Sequence, residues 1–71
     1  MQTYKVTIEN NTAGFGSRLT EVRTYKVRAA SDWDAVQEAR LRVHRVRTAR
    51  AEVRHALTGR VVARYNGRRW V

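Results

Sequence analysis

Apolar and polar side chains alternate along most of this chain, and a single stretch of helical period interrupts the alternation. The first two alternating segments cover 2–10 and 20–29. Their apolar positions are Tyr4, Val6, Ile8, Tyr25, Val27 and Ala29. A period of two is typical of half-buried strands, and the turn-forming residues between these segments predict an antiparallel hairpin.

The stretch with helical period begins at Ser31, whose side-chain oxygen can cap a helix, with Asp34 spaced like its partner in a capping box. Apolar residues then recur at steps of three and four. They are Val36, Ala39, Val43 and Val46, with Ala35 at the margin. A longer helix would bring Arg47 and Arg50 onto this apolar stripe, where unpaired charge is costly. We therefore expect the helix to end near 46–48, although a rival interpretation continues it through Leu57.

Alternation returns after residue 50 and predicts a second hairpin. A three-residue loop ending at Gly59 would pair Val53 with Ala63 and His55 with Val61, and it gives the glycine the left-handed position of a bulge. This register leaves Leu57 in the turn, where it need not be buried.

The pair Asn66 and Gly67 is the preferred sequence for a type I′ hairpin turn. It would pair Tyr65 with Arg68 and bring Trp70 opposite a small alanine. The predicted fold is therefore a single α+β domain over 1–71. It has one antiparallel sheet in the order β-β-α-β-β-β, with one helix packed across one face.

The charge of the chain is strongly positive and unevenly distributed. Fifteen Lys and Arg oppose six Asp and Glu, which gives a net charge of +9, and ten arginines but one acid, Glu52, lie between 39 and 71. Such a field attracts polyanions. Coding bias in a GC-rich genome and the need for solubility also enrich arginine, so that charge alone does not decide the function.

The sequence offers no visible catalytic machinery. The chain has no cysteine, its two histidines lack the spacing of a metal site, and neither Ser17 nor Ser31 has a companion base. We therefore expect a non-enzymatic protein without cofactor or metal. No apolar run approaches the length of a membrane span, and we expect a cytoplasmic protein.

The aromatic residues are expected mainly in the core, and this expectation covers Tyr4, Tyr25, Trp33, Tyr65 and Trp70. Phe15 is the exception, because it lies between two glycines in the predicted hairpin tip. There it either covers the end of the sheet or contacts a partner, together with Arg18.

The favoured hypothesis is a nucleic-acid-binding module that contacts phosphates, with weak sequence preference. Arg60, Arg64 and Arg69 are predicted on the outward face of the last strands, and Arg68 on the other face beside the turn. The full predicted set is Arg60, Arg64, Arg68, Arg69, Phe15 and Arg18. Arg42 and Arg45 form a second basic face on the helix.

The alternative hypothesis is a small protein-interaction module. It would bind an acidic protein surface, or pair through a sheet edge with a host protein or a second copy of itself. Small basic proteins of phages and bacteria commonly work in this way, which is an analogy of size and composition only.

Overall fold

The computed structural model of the chain describes residues 1–11 and 20–71. The elements are β1 (Gln2–Asn11), β2 (Thr20–Ala29), α1 (Asp32–Arg42), β3 (Thr48–His55) and β4 (Val61–Tyr65). The strands form one antiparallel sheet in the order β2-β1-β3-β4, which confirms the predicted α+β class. Within the described residues, no helix is long and apolar enough to span a bilayer.

The inward positions of the alternating strands form the core, as predicted. Tyr4, Val6, Ile8 and Val53 are the largest fully buried side chains. Val27, Ala29, Ala51 and Tyr65 complete the strand contribution to this buried cluster, and Ala35 and Ala39 of α1 belong to it as well. The small helical residues therefore share one apolar core with the large side chains of the strands.

Helix α1 starts as predicted, because Ser31 Oγ accepts a hydrogen bond from the Asp34 amide. The predicted end near 46–48 is wrong, since the helix stops at Arg42 and residue 43 already has an extended backbone. Thr48 is buried in β3, accepts a bond from the His44 amide and donates one to Asn10 Oδ1 of β1. Pairing with β1 thus ends the helix early and also rules out a helix that runs through to residue 57.

Two residues that the sequence placed in the core are exposed instead. Val46 lies in the turn before β3 and is 84% exposed, whereas the sequence placed it on the apolar stripe. Trp33 is 67% exposed, so its predicted core position is wrong. Successive helical residues are separated by about 100°, and Trp33 is therefore turned well away from the buried Ala35.

The β3–β4 hairpin confirms part of the predicted register. Val53 pairs with Ala63, and Gly59 has a left-handed backbone with φ of 73°. The predicted pairing of His55 with Val61 is wrong, because a bulge after Val53 shifts the register. The turn leaves Leu57 exposed, as the sequence indicated.

The last turn differs from the predicted type I′ geometry. That geometry needs positive φ at both central residues, but Gly67 (φ 97°) has it and Asn66 does not. Asn66 Oδ1 instead accepts hydrogen bonds from the amides of Arg68 and Arg69. As a result, the turn after Tyr65 spans 66–69 instead of the predicted 66–67.

This longer turn changes the pairing of the C-terminal segment. Tyr65 bridges Trp70 instead of Arg68, and their ring centroids are 5.5 Å apart. Arg64 and Val71 exchange two backbone hydrogen bonds. The shift is two residues, so Trp70 stays on the core side. The predicted fifth strand is thus reduced to a single bridge and its flanking hydrogen bonds.

Candidate nucleic-acid interface

The sheet has a second face, formed by the strand positions that alternate with the buried cluster, and we call it the basic face. Side chains of successive strand residues point to opposite faces, which assigns the members of this face from the burial of their neighbours. Its cations are Lys5, Lys26, Arg28, Arg50, Arg54 and Arg64 on the strands and Arg69 beside the last turn. Its acids are Glu9 and Glu52.

Three of these cations form a row across three adjacent strands. Lys5 of the inner strand β1 lies directly opposite Lys26 of β2 and directly opposite Arg54 of β3. Both lysines are exposed, and neither forms an ion pair with another residue in the described part of the chain. Like charges directly opposite each other destabilise a sheet, so this row favours an external anion.

Glu52 binds Arg54 of that row and the neighbouring Arg64. Its carboxylate accepts hydrogen bonds from Arg54 Nε and, at 3.1 Å, from Arg64 Nε. The hydrogen bond from Arg54 is the main cause that lowers the pKa of Glu52, and the bond from Arg64 lowers it further, against the raising effect of partial burial. The half-buried Glu52 therefore stays ionised and fixes both guanidinium groups on the basic face.

Threonines occupy the positions between the cations. Thr7 of β1 lies opposite Thr24 of β2, and Thr3 lies opposite Arg28. Hydroxyl groups donate hydrogen bonds to phosphate oxygens, as arginine and lysine do. The basic face thus combines cations with neutral donors suited to the same ligand.

The structure places only some of the predicted site residues on this face. Arg64 of β4 is exposed there, and Arg69 and Arg68 are exposed beside and in the last turn. Phe15 and Arg18 lie outside the described residues.

Arg60 was predicted beside Arg64, and this placement is wrong. Its Nη2 donates to Asp32 Oδ2 at 2.8 Å, and Asp32 Oδ1 accepts a 2.7 Å hydrogen bond from the buried Tyr4 hydroxyl. Asp32 therefore ties Arg60 to the start of α1 and to the hydroxyl of Tyr4, whose side chain belongs to the buried cluster. The sequence-based placement assumed an unbroken alternation after Val53, whereas a bulge shifts the pairing there.

The Asp32 carboxylate is stabilised in its charged form. The hydrogen bond from Tyr4 is the main cause that lowers the pKa of Asp32, followed by the bond from Arg60. The same contact with Asp32, together with burial, raises the pKa of Tyr4. This group of residues joins β1, α1 and the β3–β4 turn, which is a structural role.

The two histidines also take part in local hydrogen bonds. His55 Nε2 lies 2.7 Å from Gln2 Oε1, and its Nδ1 accepts from the Thr58 amide. His44 Nδ1 accepts from two amides of the turn before β3. Among the residues that the structure describes, no group of three or more potential ligands is arranged around a metal site.

Arg42 and Arg45 were predicted to form a second basic face on the helix, and this is wrong for Arg45, because α1 ends at Arg42. The guanidinium of Arg42 stacks over Tyr25, 5.0 Å from the ring centroid, and Arg45 is exposed in the following turn. Near this end of the helix lies a depression of about 610 Å³, lined in part by Arg23 and Arg47. Arg23 is paired with Glu21, which reduces the positive charge available there.

Sequence analysis missed five cations of the basic face, namely Lys5, Lys26, Arg28, Arg50 and Arg54. The signal for four of them was present, because they occupy outward positions of predicted strands, namely Lys5, Lys26, Arg28 and Arg54. The missing information was the strand order, which places β1 between β2 and β3 and so joins their outward positions into one surface.

No protein-family model matches the chain, and the searches of curated proteins and of solved structures find no similar protein.

Proposed function

We propose that this protein binds nucleic acid through phosphate groups and that the basic face is the binding surface. The observation that carries the proposal is the cross-strand pair of Lys26 and Lys5, which lie opposite each other and have no ion pair among the described residues. A polyanion would remove their mutual repulsion and release its own counterions on binding.

The proposal requires that the basic face is open to a ligand. It takes α1 to be packed across the opposite face, which is supported by the presence of Ala35 and Ala39 in the buried cluster. The exposure of Lys5, Lys26 and Arg28 further supports an accessible surface. A cytoplasmic location, where nucleic acids are available, belongs to the same proposal.

Pairing through a sheet edge is less well supported. β2 is an edge strand and therefore has an unpaired side, but it carries Arg23, Lys26 and Arg28. Exposed charge on an edge strand is a feature that prevents edge-to-edge association. These cations would also repel the same strand of a second copy.

The proposal is tested by fluorescence-anisotropy titration at low salt with labelled DNA, labelled RNA and labelled poly-glutamate. The variant Lys5→Gln/Lys26→Gln removes two charges from the row of Lys26, Lys5 and Arg54. The control Arg45→Gln/Arg47→Gln removes two exposed charges from the turn after α1. Circular dichroism and thermal unfolding establish that both variants fold.

We expect the wild type to bind nucleic acid, the lysine variant to lose about tenfold or more in affinity, and the control to lose much less. The proposal is overturned if the wild type binds neither DNA nor RNA, or if both variants lose affinity equally. Equally tight binding of poly-glutamate would also overturn it, in favour of an acidic protein partner.

A further inference from the structure

We infer that the ligand of the basic face is a double-stranded nucleic acid whose backbone follows a diagonal track of cations across the sheet. The inference rests on the proposed function. The track consists of Arg28, Lys26, Lys5, Arg54, Arg64 and Arg69, in spatial order.

The strand registers establish the course of the track. It begins at Arg28 near the end of β2 and continues along that strand to Lys26. It then crosses β1 at Lys5 and reaches Arg54 on β3 in the same cross-strand row. The outer strand β4 contributes Arg64, one row further along the sheet.

Arg69 completes the track beyond β4. Trp70 packs against the buried cluster, so that its neighbour Arg69 points toward the basic face. With strands about 4.8 Å apart and about 3.4 Å per residue, the six cations extend over about 28 Å. Glu52 lies beside the track and binds two of its members, while Arg50 lies off the track opposite Glu9.

The placement of the aromatic residues favours a duplex over a single strand. Tyr4 and Tyr65 are buried, Tyr25 and Trp70 pack against the buried cluster, and Trp33 lies on α1. Proteins that bind single strands commonly stack bases on aromatic side chains. The described aromatic residues are all placed away from the basic face, which instead presents charge and threonine hydroxyls.

A surface of cations and hydroxyls recognises charge density and phosphate oxygens. A duplex carries one charge per about 1.7 Å of its axis, twice the density of one of its strands. Each contact between the track and a duplex phosphate therefore releases more counterions than a contact with a single strand. DNA and RNA duplexes share this chemistry, so both belong in the test.

The test compares the affinity of the protein for a DNA duplex, an RNA duplex of the same length and their separated strands, at one low salt concentration. The variant Arg28→Gln/Arg69→Gln removes both ends of the track. The matched control Arg23→Gln/Arg68→Gln removes the same charge from the same strand and the same turn. Arg23 lies opposite Ile8 on the core side, and Arg68 lies in the turn itself.

We expect at least one duplex to bind about tenfold or more tightly than its strands, since counterion release per contact is larger for a duplex. We also expect the track variant to weaken duplex binding about tenfold, with a much smaller effect of the control. Equal or tighter binding of single strands, weakened by the lysine variant described above, would overturn the duplex inference while leaving the proposed function intact. Equal losses of duplex affinity in the two arginine variants would overturn the inferred course of the backbone along the track. If the protein binds no nucleic acid, both the duplex inference and the proposed function are overturned.

Discussion

Lys5 and Lys26 lie directly opposite each other on neighbouring strands, and no carboxylate among the described residues forms an ion pair with either of them. Their row also includes Arg54 of β3. Such an arrangement lowers the stability of the sheet. Its presence on an exposed face supports the proposed binding of a polyanion.

Lys26→Glu replaces this repulsion by a cross-strand attraction. We expect it to stabilise the protein by about 0.5 kcal/mol at low salt and to weaken nucleic-acid binding. Urea unfolding measures the first effect, and the gain should shrink at high salt because surface charges are screened. A loss of stability at low salt would show that the two lysines do not repel each other in the folded protein.

Acid should destabilise the protein through Asp32 and Glu52. Hydrogen bonds from Tyr4 and Arg54, respectively, lower the pKa of these carboxyls below their ordinary values of 3.8 and 4.5. A group with a lowered pKa in the folded state stabilises it above the unfolded pKa, and this contribution is lost as the pH falls through the folded pKa. Thermal unfolding should therefore show a fall in Tm below about pH 4.5.

The variant Asp32→Asn provides the control for this pH effect. It lacks one of the two carboxyls, so its Tm should be lower at neutral pH and should fall less in acid. Parallel pH profiles of the variant and the wild type would contradict a role for the Asp32 contacts in stability.

The two left-handed glycines should differ in their tolerance of alanine. A Cβ at Gly67 would lie 3.0 Å from the Ala49 carbonyl oxygen, whereas a Cβ at Gly59 meets nothing within 4 Å. Both positions require positive φ, which costs alanine about 1–2 kcal/mol. We expect Gly67→Ala to be the more destabilising variant in urea unfolding, because it adds a backbone clash. A larger loss for Gly59→Ala would contradict the geometry of the last turn.

Two valines test where the core ends. Val53 is fully buried in β3, and Val46 is exposed in the turn after α1. Val53→Ala should cost about 2 kcal/mol through lost burial and a cavity, and Val46→Ala should change stability by less than about 0.5 kcal/mol. Similar losses for both variants would restore the longer helix that the apolar periodicity predicted.

Local patterns predicted the features that depend on neighbouring residues. The alternation of Tyr4, Val6 and Ile8 identified the buried side of β1, and Ser31 identified the helix start. Both follow from side-chain direction and from one capping hydrogen bond. The pairing of Val53 with Ala63 followed from the same alternation.

The errors occurred where long-range or competing contacts decide the structure. The end of α1 depends on Thr48, which is bonded to Asn10 of a distant strand. The last turn depends on the Asn66 side chain, which bonds two amides instead of leaving the residue free for positive φ. The basic face depends on strand order, which brings Lys5 and Arg54 together although 48 positions separate them.

The most direct test of the central claim is the salt dependence of binding to a short duplex, measured for the wild type and for Lys5→Gln/Lys26→Gln. Six phosphate contacts predict a slope of about −5 for log K against log salt, and loss of two contacts predicts a slope shallower by about 2. That result would identify the row of Lys26, Lys5 and Arg54 as a phosphate-binding surface. Identical slopes in the two proteins, or a wild-type affinity that does not change with salt, would contradict it.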